Sequence, residues 1–146
     1  MLAIWQVNRY IGSMELKYSC DQRREYINFT RKMGAKWVEV FQGNTEFYSA
    51  DFWDLLTEMW YINKPVMVSD ALRSMKSIKS PFTARKYLQK VIEKGIVLET
   101  KNPEDERSTL VELSAEFRAD LDQFFDTVLC DLSQTVQSVC PDAAKK

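Results

Sequence analysis

Along most of this chain the apolar side chains recur at intervals of three and four, the spacing of a helix face, and in one short stretch the interval falls to two. The first stretch, Ile4, Val7, Ile11, Met14 and Tyr18, fits a helix that Gly12-Ser13 interrupts. From Asp21 to Gln42 the stripe Tyr26, Phe29, Met33, Trp37, Val40 and Phe41 predicts a helix closed by Gly43-Asn44. Gly34 inside it costs up to about 1 kcal/mol of helix propensity, so this helix needs packing to persist. Ser49 caps a further helix with Phe52, Leu55, Leu56, Met59 and Ile62 on its inner face, ending at Asn63-Lys64-Pro65.

Next comes a short β-like piece, Pro65-Val66-Met67-Val68. Ser69 is expected to cap a helix that turns Ala71, Leu72 and Met75 inward, and Lys76 to Lys79 reads as a turn. Ser80-Pro81 opens the following helix, since a Ser accepts from free amides and a Pro at the first position loses no donor. Ala84, Leu88, Val91 and Ile92 share its apolar face, and Gly95 supplies the left-handed residue that closes it. Ile96, Leu98 and Thr100 then alternate with Val97, Glu99 and Lys101, Asn102 to Glu106 has turn composition, and Thr109, Val111 and Leu113 alternate again.

A basic helix against a two-stranded ribbon is the outline of a winged helix. From Ser114, Phe117, Leu121, Phe124, Val128, Leu132, Val136 and Val139 form a last stripe, stopped by Pro141. That stripe runs about seven turns, more than one small core covers, so part of it is expected to meet a partner. Coverage of both long stripes by the chain itself is the other reading. The predicted fold is mainly α with a small β-hairpin wing, a winged helix-turn-helix flanked by long N- and C-terminal helices.

Composition narrows the function. With 146 residues, 45% hydrophobic and 12% aromatic, the chain is expected to form one domain, residues 1–146, with a real core. No apolar run approaches the length of a membrane span and the start lacks signal-peptide character, so a cytoplasmic protein away from membranes is expected. Cys20, Cys130 and Cys140 are widely spaced and the chain has no His, which argues against a zinc site or a disulfide framework and for ordinary reduced thiols. The missing His also removes the commonest general base, and four glycines leave no phosphate-binding loop, so neither catalysis nor a cofactor is expected. Net charge is −1, but between Arg73 and Lys94 seven basic residues face one acid, leaving −7 on the rest. A basic patch on an acidic body suits phosphates, although a solvated helix face would look the same.

The run Glu93-Lys94-Gly95-Ile96-Val97, then Asn102-Pro103-Glu104-Asp105-Glu106-Arg107, then Val111-Glu112-Leu113-Ser114, resembles the signature of the multiple-antibiotic-resistance regulator (MarR) family of winged-helix transcription factors. The resemblance spans residues 49–125. It implies that the helix of residues 80–94 enters the DNA major groove and that Asp105-x-Arg107 orders the wing and brings Arg107 near the minor groove. It also implies a homodimer built from the first and last helices, reading two half-sites one helical turn apart. A small aromatic or anionic effector, and in some relatives a redox-sensing thiol, belong to the same analogy. The chain departs from the family in a slightly longer interval between Ser69 and Ser80, which would change the helix angle. It also ends where the family often has another helix and is longer at its start, so residues 1–45 can share the dimer contact with 114–140, on either side of the winged helix at 49–113.

The outward face of the predicted recognition helix offers Phe82, Thr83, Arg85, Lys86, Gln89 and Lys90. Thr83, Arg85 and Lys86 are assigned to base edges, and Lys90 and Lys79 to phosphates. Ser69 and Ser80 can serve as caps and, through nearby amides, as phosphate contacts; capping alone would account for them. Arg107 stands among Glu104, Asp105 and Glu106, which favours a structural Asp105–Arg107 pair over a DNA contact. Trp37, Phe41, Phe47, Tyr48, Phe52, Trp53, Trp60 and Tyr61 are read first as core and second as an effector pocket. The expected function is a sequence-specific double-stranded DNA-binding transcriptional regulator at the nucleoid. The alternatives are a winged-helix protein–protein assembly module and a plasmid or phage replication-associated DNA-binding protein.

Overall fold

A computed structural model describes residues 15–141. The predicted first helix, with Ile4, Val7, Ile11 and Met14, lies outside the described residues. Helix α1 spans Cys20–Val40. Ser19 starts it with a reciprocal cap: its hydroxyl accepts from the Gln22 amide at 3.2 Å while the Gln22 side chain accepts from the Ser19 amide at 2.8 Å. Phe29, Trp37 and Phe41 are buried, but Tyr26, expected on the same stripe, is 60% exposed. Gly34 has a packing reason: a Cβ there would sit 2.9 Å from the Tyr48 hydroxyl, so the glycine lets that ring lie against the helix.

Gln42 and Gly43 take positive φ and turn the chain into a short 3-10 turn, Thr45–Phe47. Phe47 is buried, and its carbonyl accepts from the Trp37 indole at 2.9 Å. Helix α2, Ala50–Ile62, begins as expected with the Ser49 hydroxyl accepting from the Phe52 amide at 3.3 Å. It ends on Asn63 in the left-handed region, a conformation Asn tolerates well.

Strand β1, Val66–Met67, passes directly into helix α3, Val68–Arg73. Ser69 therefore lies inside the first turn, and Met67 holds the cap position without a side-chain bond, which corrects the expected Ser69 cap. The strand ends where the helix begins, leaving no residue between them for a polar cap. Helix α4, Pro81–Glu93, has Ser80 at its N-cap position, but the hydroxyl makes no capping bond. Its carbonyl alone enters the helix, accepting from the Ala84 amide at 3.0 Å. Gly95, at φ +73°, closes α4: its amide donates to Ile92 O and the Ile96 amide to Val91 O, both at 3.0 Å.

Strands β2, Val97–Asn102, and β3, Asp105–Leu113, pair antiparallel from Val97↔Leu113 to Lys101↔Thr109, with a shift before Asn102↔Asp105. β1 adds to the free edge of β3, so the sheet has three strands in the order β1-β3-β2 where a two-stranded ribbon was expected. β1 is too short to show alternation, which is why its pairing was not legible. Val97 and Val111 point from the sheet into the core, against Leu88 and Val91 of α4 and Leu55 and Leu56 of α2.

Helix α5, Ala115–Val139, is capped by Ser114, whose hydroxyl accepts from the Phe117 amide at 3.1 Å. It runs beside α1, joined by a Lys36–Asp131 ion pair and by Gln22 donating to Val139 O at 2.9 Å. Trp37 meets Phe124 edge to face at 5.5 Å, and the Trp60 indole donates to Asp122 at 2.7 Å, so α5 is keyed to both α1 and α2. Its stripe divides: Phe117, Leu121 and Phe124 are buried, Val128 is half-buried, and Leu132 and Val136 remain exposed. No helix among the described residues is long and apolar enough to cross a membrane.

Candidate nucleic-acid interface

Because Ala84, Leu88 and Val91 anchor α4 in the core, the opposite line is fixed by helical geometry. It consists of Phe82, Lys86, Gln89 and Glu93, spaced four, three and four apart, all exposed. Phe82 is 70% exposed, a large apolar ring held in water at the start of the helix. The Lys86 ammonium stands 4.7 Å from its ring centroid, a cation–π contact that steadies the lysine over the ring. Thr83 and Arg85 are exposed on the two flanks, so Arg85 is less central than the sequence suggested.

Arg85 instead borders a hollow of about 580 Å³ between α3, the turn before α4 and the base of β3. Arg73, Lys79, Ser69, Ser80 and Arg107 line it as well, so residues assigned separately converge on one concave surface. Arg73 is paired with Asp70. Lys79, Arg85 and Arg107 make no ion pair among the described residues, which leaves the hollow electropositive.

One assignment changes and another gains a partner. The expected Asp105–Arg107 ion pair does not form: Asp105 accepts from the backbone amide of Arg107 at 3.0 Å, and the Arg107 side chain is left to the hollow. An Asx-type bond satisfies the carboxylate locally and orders the turn, as does Asn102 accepting from the Glu104 amide at 3.0 Å. Lys90, assigned to a phosphate, holds an ion pair with Glu46 of the Thr45–Phe47 turn. Its position places it on the flank of α4 nearest that turn rather than on the outward line.

Sequence reasoning missed three acids that position this surface. Asp51 accepts from the Ser77 hydroxyl, and Asp54 from the Lys76 amide at 3.4 Å, so the N-terminal turns of α2 hold the turn that leads into α4. Glu46 holds the far flank. All three contacts join residues more than twenty positions apart, and no local pattern announces them.

The core reading of the aromatic residues holds for some of them and not for others. Trp37, Phe41, Phe47 and Phe52 are core, while Tyr48 and Tyr61 are exposed. A hollow of about 540 Å³ between α1 and α2 is lined by Met33, Trp37, Tyr48 and Trp53, with Arg31 beside them. At the other end of the molecule, Tyr18, Tyr26, Ile27, Leu132, Val136 and Val139 line a further apolar groove of about 540 Å³ between α1 and α5.

Together these elements make a winged helix-turn-helix with long helices on either side, and the fold is that of the MarR-type regulators. A MepR variant from S. aureus bound to an oligodeoxyribonucleotide is similar with a TM-score of 0.63 and 15% identity, over 90% of this chain and 89% of that one. A MarR variant from E. coli is similar with a TM-score of 0.58 and 16% identity, over 90% and 92%. The same E. coli variant complexed with operator DNA gives 0.50 and 16%, over 86% and 88%. No protein-family model matches the sequence, and a search of curated proteins finds no significant relative.

Proposed function

We propose that this protein is a sequence-specific, double-stranded DNA-binding transcriptional regulator acting as a homodimer, with α4 in the major groove. The observation that carries the reading is the convergence of Lys79, Arg85 and Arg107 on one hollow beside the exposed line Phe82, Lys86 and Gln89, in a chain whose net charge is only −1. Cations gathered on a concave surface neutralise phosphates and release counterions, while the adjacent line carries groups suited to base edges. Lys86 can donate to guanine, Gln89 can pair with adenine, and Phe82 can cover a thymine methyl. Ser69 and Ser80, with no capping duty, have hydroxyls free for phosphate oxygens. Similarity of fold to a DNA-bound MepR and an operator-bound MarR supports the same reading.

The apolar groove between α1 and α5 supports the dimer, because Leu132 and Val136 continue a stripe whose first half is already core. The α1–α2 hollow is the reading's site for a small aromatic or anionic effector, with the Tyr48 and Trp53 rings for stacking and Arg31 for charge. The test is a selection of duplexes from a random pool. Enrichment of a palindromic sequence with half-sites about one helical turn apart is expected. Recovery of no sequence above background, with no salt-dependent DNA affinity, would favour a winged helix used for protein assembly.

A further inference from the structure

The pairing of Lys90 with Glu46 gives the DNA-binding surface a built-in opponent, a role for Glu46 that rests on the DNA-binding reading and goes beyond it. We propose that Glu46 is an internal competitor for DNA: it occupies a recognition-helix cation on that flank and so sets how tightly the protein holds any duplex.

Three features support this. Lys90 lies one turn beyond Lys86 on the same helix, within reach of a phosphate on the wall of a groove that α4 enters. The pair is open to solvent, with Lys90 and Glu46 side chains 36% and 44% exposed, so a phosphate can approach the ammonium that the carboxylate holds. The carboxylate stands on a rigid base. The Glu46 amide donates to Asn44 Oδ1 at 3.0 Å, the Tyr48 amide to Thr45 O at 3.0 Å, and Phe47 is buried with its carbonyl bonded to Trp37.

A turn fixed in this way keeps the Glu46 carboxylate within reach of Lys90, so DNA has to compete with it for the ammonium. The other charges near Lys90 on α4 are Lys86, Glu93 and Lys94, and Glu46 alone is fixed against it by an ion pair among the described residues. Glu46 also sits on the short connection that follows α1. Any shift of α1 relative to the winged helix therefore moves the competitor with respect to the recognition helix, which links the state of the long helices to DNA affinity.

The variants are Glu46→Gln, Lys90→Gln and the two together, each checked for folding by circular dichroism and melting. The substitutions are close in size to the parent side chains and the Glu46 backbone bonds are retained. Affinity for a fixed duplex is then measured from 0.05 to 1 M salt by fluorescence anisotropy. One extra neutralised phosphate steepens the log–log slope by about 0.9, so Glu46→Gln is expected to bind about eightfold tighter at 0.1 M salt. The double variant is expected to match Lys90→Gln rather than Glu46→Gln, because without Lys90 there is no ammonium for the Glu46 substitution to release. A Glu46→Gln protein with the parent's affinity and slope would overturn the proposal. So would a double variant that keeps the whole gain, since the effect would then be general loss of repulsion and not release of Lys90. A parent with no DNA affinity at any salt overturns the DNA-binding reading itself.

Discussion

Replacing Leu132 and Val136 together by Glu separates the proposed dimer contact from the core. In the chain alone these side chains are 38% and 43% exposed, whereas Leu121, three turns earlier on the same stripe, is fully buried. Full burial of a Leu or Val is worth about 1.5–3 kcal/mol, so each exposed fraction leaves about 0.6–1.3 kcal/mol to gain when covered. A two-fold interface counts both residues twice, which gives about 2–5 kcal/mol per dimer, or about two to four orders of magnitude in the dissociation constant. Two carboxylates placed in the seam add a desolvation cost to that loss. Sedimentation velocity at micromolar concentration should show a dimeric parent and a monomeric double variant with the parent's circular dichroism and melting cooperativity. Leu121→Glu should instead unfold the chain, because an unpaired carboxylate in the core costs about 4 kcal/mol or more of the about 5–15 kcal/mol that hold a domain together. A monomeric parent, or a double variant that remains dimeric, would refute the reasoning.

Gly34→Ala should leave melting unchanged or raise it by a few degrees: the new methyl meets only the far end of Tyr48, which is 62% exposed and can swing aside, and Ala gains up to about 1 kcal/mol of helix propensity. Gly95→Ala should lower the melting temperature, since φ +73° costs an L-residue about 1–2 kcal/mol; thermal denaturation of the two variants compares them directly. Asp51→Ala should loosen the turn before α4 without unfolding the protein, read as faster amide exchange over residues 76–79 and weaker DNA binding at unchanged circular dichroism. Single Ser replacements of Cys20, Cys130 and Cys140 should leave DNA binding intact, because two of the thiols are exposed and the third lies at the far end of α5 from the hollow.

The helices were legible because their apolar stripes are long and their ends carry chemistry that acts locally. Ser19 escaped notice, yet Ser49, Ser114, Pro81 and Gly95 stand where the pattern put them. What failed were features decided by neighbours distant in sequence. Ser69 and Ser80 have capping composition, but β1 runs straight into α3, and Ser80 contributes only its carbonyl. Tyr26 fits the spacing of a buried face, but the part of α5 opposite it leaves a groove. Within the candidate site, residue types were readable and pairings were not. Nothing next to Lys90 in sequence distinguishes it from Lys79, because its partner Glu46 comes from a distant turn, and Asp105 bonds a backbone amide although a guanidinium lies two residues away.

Comparing Lys86→Ala with Lys79→Ala on a selected duplex and on a scrambled one, across a salt series, tests the central claim most directly. Lys86, on the outward line of α4, should lose about 1–3 kcal/mol on the selected duplex and much less on the scrambled one, with relaxed preference at one base position. Lys79, at the hollow, should weaken both duplexes alike and reduce the salt slope by about one. Two folded variants that bind both duplexes as the parent does, with unchanged slopes, would contradict the assignment of α4 to DNA.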